Sequence, residues 1–216
     1  MAKDQRTGRR QAVSDLKRGL ILDAARKVFE AEGLDGASLR AIAAESGYTP
    51  AALYFHFESK EAIYAEVLRG SLASLGDAIA QATARAKTPA DRLRTAAMAF
   101  FQFYANNPRD LDLGFYLFRG GMKPRGLGKE RDETLNAGLA AALHPIAEAA
   151  AALGAQQQEA RMLMVDIFAH AAGLLLLAHT GRIRMFEASA PALMKRFVED
   201  KIAALTRATS RRARRL

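Results

Sequence analysis

Ser38-Leu39-Arg40-Ala41-Ile42-Ala43-Ala44-Glu45-Ser46-Gly47-Tyr48-Thr49-Pro50-Ala51-Ala52-Leu53-Tyr54-Phe55-His56-Phe57 reads as two short helices joined by a glycine turn. Ser38 is suited to cap the first helix, because its hydroxyl accepts from an otherwise orphan backbone N–H; Leu39, Ile42 and Ala43 then fall on one apolar stripe. Gly47 ends that helix, since glycine takes the left-handed conformation of a sharp turn at no steric cost. Thr49-Pro50 restarts the chain at once, as a cap followed by proline at the first helical position. At about 100° per residue, Leu53 and Phe57 share one face of the second helix, and Ala51, Tyr54 and Phe55 project from the other. Two adjacent outward aromatics with no carboxylate before Glu58 suit a groove and a phosphate backbone. The competing reading is that Tyr54 and Phe55 pack on neighbouring helices, because tertiary context overrides a helical wheel.

Upstream, Leu20, Ile21, Ala24, Ala25, Val28 and Phe29 form one stripe over a helix from about Ser14 to Glu32, which Gly33 stops. Three such helices make a small core. Downstream, Ser59 caps a helix whose first turn carries Glu61. Its stripe of Ile63, Tyr64, Val67 and Leu68 continues through Leu72, Leu75 and Ile79, with Gly70 and Gly76 either tolerated or marking a bend. Thr88-Pro89 starts a further helix rich in aromatics, and Asn106-Asn107-Pro108 breaks it. The later segments predict a helix from Glu130 to Leu153, kinked or divided at Pro145, a helix from Gln156 to His179, and a last one opened by Pro191. The fold class expected is all-α, and the last two helices are apolar enough to form half of a four-helix bundle with a symmetric partner or, equally, to pack in a core within one chain.

The 216 residues carry 32 Lys and Arg against 23 Asp and Glu, and the formal charge of +9 favours a polyanionic partner. Much of the excess sits in two runs, Lys3 to Arg18 and Arg207 to Arg215. No cysteine is present, so disulfides and thiolate metal sites are excluded. The start, Met1 to Arg6, has no apolar core of a secretory signal. The longest apolar run, Ile167 to Ala178, is interrupted by His170 and is too short to cross a bilayer. A soluble, cytoplasmic protein without membrane contact is expected.

Catalytic chemistry is not legible. His56, His144, His170 and His179 show no HxH or HExxH spacing, and no GxSxG elbow occurs. Asp166 and His170, four apart, are spaced to hydrogen-bond rather than to hold a metal. The glycines from Gly120 to Gly128 fit neither a Walker nor a dinucleotide pattern. No cofactor, no metal and no enzymatic activity are expected.

The run from Gly47 to Ile63, with Tyr54-Phe55-His56-Phe57 and Ser59-Lys60-Glu61 at its centre, resembles the helix-turn-helix signature of the TetR/AcrR family of bacterial transcriptional regulators. The resemblance covers roughly Leu16 to Leu68 and is one of architecture beyond. It implies a basic arm (1–13), a helix-turn-helix DNA-binding domain (14–68), a helical effector-binding and dimerisation domain (69–207) and a basic tail (208–216). It further implies a homodimer through the last two helices that binds a double-stranded operator and is a repressor released by a small, largely apolar effector. Arg40, Thr49, Pro50, Ala51 and Phe55 are then the candidates for base or sugar contact, and Ser38, Tyr54, His56 and Lys60 for phosphate contact. The candidate effector pocket comprises Phe100, Tyr104, Phe115, Tyr116, Phe118, Met164 and Phe168. The alternatives are an architectural protein that coats DNA through its basic ends without an effector, and a helical enzyme using the second-domain pocket.

Overall fold

The computed structural model describes residues 2–114 and 126–213, and among them every regular element is helical. In chain order these are α1 (Ala2–Gly36), α2 (Leu39–Ser46), α3 (Pro50–His56), α4 (Lys60–Thr83), α5 (Pro89–Asn106), α6 (Pro108–Gly114), α7 (Lys129–Ala152), α8 (Gln157–His179) and α9 (Ala190–Ala213). A 3-10 turn, Arg182–Phe186, lies between the last two. The all-α expectation is met.

The chain forms two compact units. The first comprises Met1–Ser71 and Arg109–Leu135. Its core is built by the stripes read from the sequence: Ile21, Ala25 and Phe29 of α1, Ile42 of α2, Leu53 of α3, and Ile63 and Tyr64 of α4 are all fully buried. Phe29 and Tyr64 meet edge to face, their centroids 4.8 Å apart at 75°. Removing either ring would cost about 3–5 kcal/mol by the usual core-truncation scale. Gly33 breaks α1 where expected, with φ 69 and ψ −179.

Two expectations are corrected here. The helix α1 begins at Ala2 rather than near Ser14, so the basic arm is helical. No proline lies in residues 2–13, and its Lys, Arg and Gln residues are good helix formers, so nothing local stops the helix from extending backwards. Second, no single boundary at 68/69 separates the units, because Arg109–Leu135 belongs with the first. Arg109 pairs with Glu30 and Asp110 with Arg26, both at 2.8 Å, and the Tyr64 hydroxyl donates to the Leu113 carbonyl at 2.8 Å. These bonds cross about eighty residues of chain or about fifty, where local patterning carries no signal.

The second unit comprises Leu72–Pro108 and Asn136–Leu216, with α5, α8 and α9 packed on one another. Thr88 caps α5 by accepting from the Asp91 N–H at 3.1 Å, and Leu93, Phe100, Phe101 and Tyr104 are buried along it. The helix α7 runs through Pro145 without being divided. Gly154, at φ 93, follows its end, and the Thr209 hydroxyl donates to the Leu153 carbonyl at 2.9 Å.

Helix α8 is longer than the apolar run within it, and by length and composition it is long and apolar enough to cross a membrane. Its inner side, Ala160, Leu163, Ile167, Ala171, Leu174 and Leu175, is nevertheless buried in the α5–α8–α9 bundle. Met162, Val165 and Leu176 remain exposed on the other side. The expected Asp166–His170 bond is absent: Asp166 is ion-paired with Lys201 of α9, and His170 stacks on Phe197 at 3.9 Å between centroids and 13° between planes. A full charge on Lys201 outcompetes a neutral imidazole for the carboxylate.

Candidate nucleic-acid interface

Each turn around α2 and α3 is closed by the residue that the local sequence provides. The Ser38 hydroxyl accepts from the Ala41 N–H at 3.1 Å, with Ser38 itself extended at φ −130 and ψ 153. Gly47 is left-handed at φ 72 and ψ 18, and the Tyr48 N–H reaches back to the Ala43 carbonyl at 2.9 Å, the long bond of a Schellman end. Thr49 then caps α3 by accepting from the Ala52 N–H at 3.2 Å.

The result is a short helix held by its inner face. Leu53 and Phe57 are buried, whereas Tyr54 is 59% and Phe55 83% exposed. The Phe55 ring rests edge-on against His56 at 5.2 Å and on the far side meets open solvent. Among the described residues, neither Tyr54 nor Phe55 is buried against a neighbouring helix. Ser38, Arg40, Thr49, Pro50 and Ala51 are exposed as well, and His56 is half-buried.

Lys60 is placed differently. Its ammonium donates to the Leu34 carbonyl at 2.6 Å and to the Ala37 carbonyl at 2.9 Å, so two of its three protons tie the α1–α2 connection to the start of α4. A cation at the carbonyl end of α1 also complements that helix's dipole.

Arg18 was not singled out by the sequence. Its Nη1 donates to the His56 carbonyl at 2.9 Å, its guanidinium lies 4.2 Å from the Phe57 ring centroid, and its Nη2 is 3.4 Å from Glu66. It thus satisfies an orphan carbonyl at the end of α3 from thirty-eight residues upstream. Burial pushes the Glu66 carboxyl up, but the Arg69 hydrogen bond and the charges of Arg69 and Arg18 outweigh it and hold the group below the usual carboxylate range. Arg131 of α7 is ion-paired with Glu58, just past α3. These residues line a cavity of about 520 Å³ in the first unit.

In the second unit, Phe100 meets Tyr104 and Phe168 edge-on at 5.4 and 5.8 Å. Phe100 and Tyr104 are buried in that cluster, and Met164 lines a separate, mostly apolar groove of about 590 Å³ between α7 and α8. Phe115, Tyr116 and Phe118 lie outside the described residues. Among the described residues no three His, Asp or Glu side chains cluster as a metal site.

A capped pair of short helices on a three-helix core, followed by a larger helical unit, defines a helix-turn-helix protein. Residues 21–67 match the family of bacterial regulatory proteins, tetR family, so this segment is a helix-turn-helix domain of the tetR type. The chain is 35% identical over 101 residues to the transcriptional activator FasR of Mycolicibacterium smegmatis, covering 47% of this chain and 46% of that one. It is 31% identical over 104 residues to the transcriptional repressor NicS of Pseudomonas putida, covering 48% and 49%. The chain thus spans about half the length of the curated relatives it matches. The solved structure of the regulator FadR from Bacillus subtilis, in complex with stearoyl-CoA, superposes with a TM-score of 0.65 at 16% identity over 83% of this chain and 95% of that one, a likeness of fold.

Proposed function

We propose that this protein is a homodimeric, sequence-specific DNA-binding transcriptional regulator of the cytoplasm, a repressor whose hold on its operator is released by a small, largely apolar molecule bound in the second unit. The observation that carries the reading is the outer face of α3, where Tyr54 and Phe55 stand exposed on a helix whose inner side is locked into the core. A soluble surface rarely leaves two adjacent aromatics uncovered without a partner. Thr49, Pro50 and Ala51 at the start of that helix are small enough for close approach to base edges and thymine methyls, and Arg40 of α2 has the fork that matches guanine. Ser38, Tyr54 and His56 are the phosphate contacts of this reading. Lys60 keeps one proton beyond its two carbonyl bonds and acts chiefly as a brace.

Self-association through α8 and α9 is supported by the exposed Met162, Val165 and Leu176, which repeat along one side of α8. A two-fold dimer would present its α3 helices to successive turns of one groove, about 34 to 36 Å apart. For the effector, the mostly apolar groove between α7 and α8 lined by Met164 is the open surface of the second unit. Phe100, Tyr104 and Phe168 form an aromatic cluster in which Phe100 and Tyr104 are buried, so these rings would have to part to admit a ligand. The stearoyl-CoA held by one protein of the same fold puts long-chain acyl thioesters on the list to be screened.

Selection of bound duplexes from a random pool tests the reading. A recovered site with two-fold symmetry, preferred over random DNA by roughly a thousandfold or more, is expected; enrichment without any consensus would overturn it. Apolar carboxylates and their coenzyme A thioesters are then added to the complex with that site. Release by one of them is the expected response, and tighter binding would reverse the assigned sign.

A further inference from the structure

We infer that two copies of this chain close their dimer by exchanging the 3-10 turn that follows α8. Met185 and Phe186 of each copy seat in the groove between α7 and α8 of the other, so part of that groove's wall comes from the partner. The inference rests on the homodimer reading above and adds a second chain's residues to the surface offered there to an effector.

The turn is fixed at both ends and shows its apolar residues outward. Gly181 opens it at φ 72 and ψ −4, and Glu187 closes it at φ 50 and ψ 30, the one residue other than glycine with positive φ among those described. A left-handed glutamate is uncommon and persists only where its surroundings hold it. Met185 is 77% and Phe186 70% exposed, and Arg182, Arg184 and Glu187 around them are exposed as well. Two adjacent large apolar side chains in water call for a cover. The same unit carries the means: its mostly apolar groove of about 590 Å³ is lined by Ala147, Ala151, Ala160, Met164 and Val165. Glu148 and Arg161 also line it, so the groove offers both signs of charge to Arg184 and Glu187. Within its own chain Glu148 meets the His144 imidazole at 3.3 Å rather than a permanent cation.

The exposed side of α8 sets where the second copy lies. Met162, Val165, Ala169, Gly173 and Leu176 are all exposed and, at 100° per residue, fall within an arc of about 80°. The small residues stand in the middle of this stripe, and a Cβ added at Gly173 would meet nothing within 4 Å, so two such helices can cross closely there. An antiparallel two-fold pairing about position 169 makes the stripe self-complementary: Met162 faces the partner's Leu176, each about 10 Å from the axis. The same register puts position 180 beside the partner's position 158. The turn leaving His179 therefore arrives at the first turns of the partner's α8, where Gln157, Ala160 and Arg161 line the groove. Within one copy the turn and those residues stand at opposite ends of a helix about 34 Å long, so a chain cannot fill its own groove. The exchange is reciprocal: two tips fill two grooves, and assembly stops at two copies.

The test uses full chains that each carry a single cysteine, on a background that has none. Phe186→Cys and Ala151→Cys, both at exposed positions, are mixed, left to exchange subunits and oxidised mildly. A disulfide-linked dimer is expected from the mixture and from neither chain alone, because the two copies of each position stand on opposite sides of the axis. Phe186→Cys mixed with Ala84→Cys, an exposed control position, should stay unlinked, and Ala169→Cys alone should link to itself on the axis. In sedimentation, Met185→Ser combined with Phe186→Ser should raise the dimer dissociation constant about a hundredfold, at about tenfold for each of the two tips. A linked Ala169→Cys dimer beside an unlinked mixture, or an unchanged dissociation constant, would overturn the inference and leave the homodimer standing. Self-linking of Phe186→Cys would overturn it too, by pairing tip with tip. A wild-type chain that sediments as a monomer, with Ala169→Cys unlinked, would sink the homodimer reading itself.

Discussion

Replacing Lys60 by methionine keeps the unbranched stem and removes the ammonium, which separates bracing from DNA contact. In the native chain that ammonium meets the Leu34 and Ala37 carbonyls at 2.6 and 2.9 Å on a half-buried side chain. A hydrogen bond to a charged group contributes about 1.5–3 kcal/mol, and water would replace part of each bond at this partly open site, so a total loss of about 2–3 kcal/mol is expected. Far-UV circular dichroism in urea reads it, as a lower midpoint for the transition of the first unit with an unchanged slope. Amide exchange at residues 34 to 41 localises it, because that connection should open first. Binding to DNA, measured below the shifted midpoint, should change little. An unchanged midpoint, with affinity lost equally on all duplexes and a salt slope lower by about one, would refute the reasoning and turn Lys60 towards phosphate.

Phe55→Ala should leave unfolding within about 0.5 kcal/mol of wild type, since the ring is exposed, and should weaken operator binding at least tenfold in a mobility-shift titration. Gly47→Ala places a Cβ at φ 72; the site is otherwise open, so only backbone strain opposes it, and a loss of about 1 kcal/mol in the urea transition is expected. The His170 imidazole is held below its ordinary range near 6.5, first by burial and then by the charges of Lys201 and Arg196. A depressed pKa favours the neutral ring in the fold, so stability is complete above about pH 6.5 and falls as pH drops through the lower folded value. His170→Phe, which keeps the stack on Phe197, should flatten the urea midpoint below about pH 6.5; an unaltered profile would exclude the group.

Local chemistry made the motif readable. The Ser38, Thr49 and Thr88 caps and the Gly33 and Gly47 stops act within four residues of themselves, and all were legible. So was the inner face of α3, because Leu53 and Phe57 are four apart and leave Tyr54 and Phe55 the other side. What escaped is tertiary. A lysine one residue past a serine cap looks solvated, and only the return of α1 to within 3 Å of it gives Lys60 its bracing role. Arg18 sits in a basic run whose members are alike in sequence, and Asp166 has a histidine at helical spacing but finds a stronger partner on another helix.

The first unit is discontinuous along the chain, and this has a practical consequence. A fragment ending at Ser71 would lack the Leu113 carbonyl that the Tyr64 hydroxyl meets, Asp110 for Arg26 and Arg109 for Glu30. The reading head therefore cannot be excised and grafted as a contiguous cassette. Any chimaera that borrows it must carry Arg109–Leu135 along, so swapping specificities between relatives is better done by exchanging single residues on α2 and α3 than by cutting the gene.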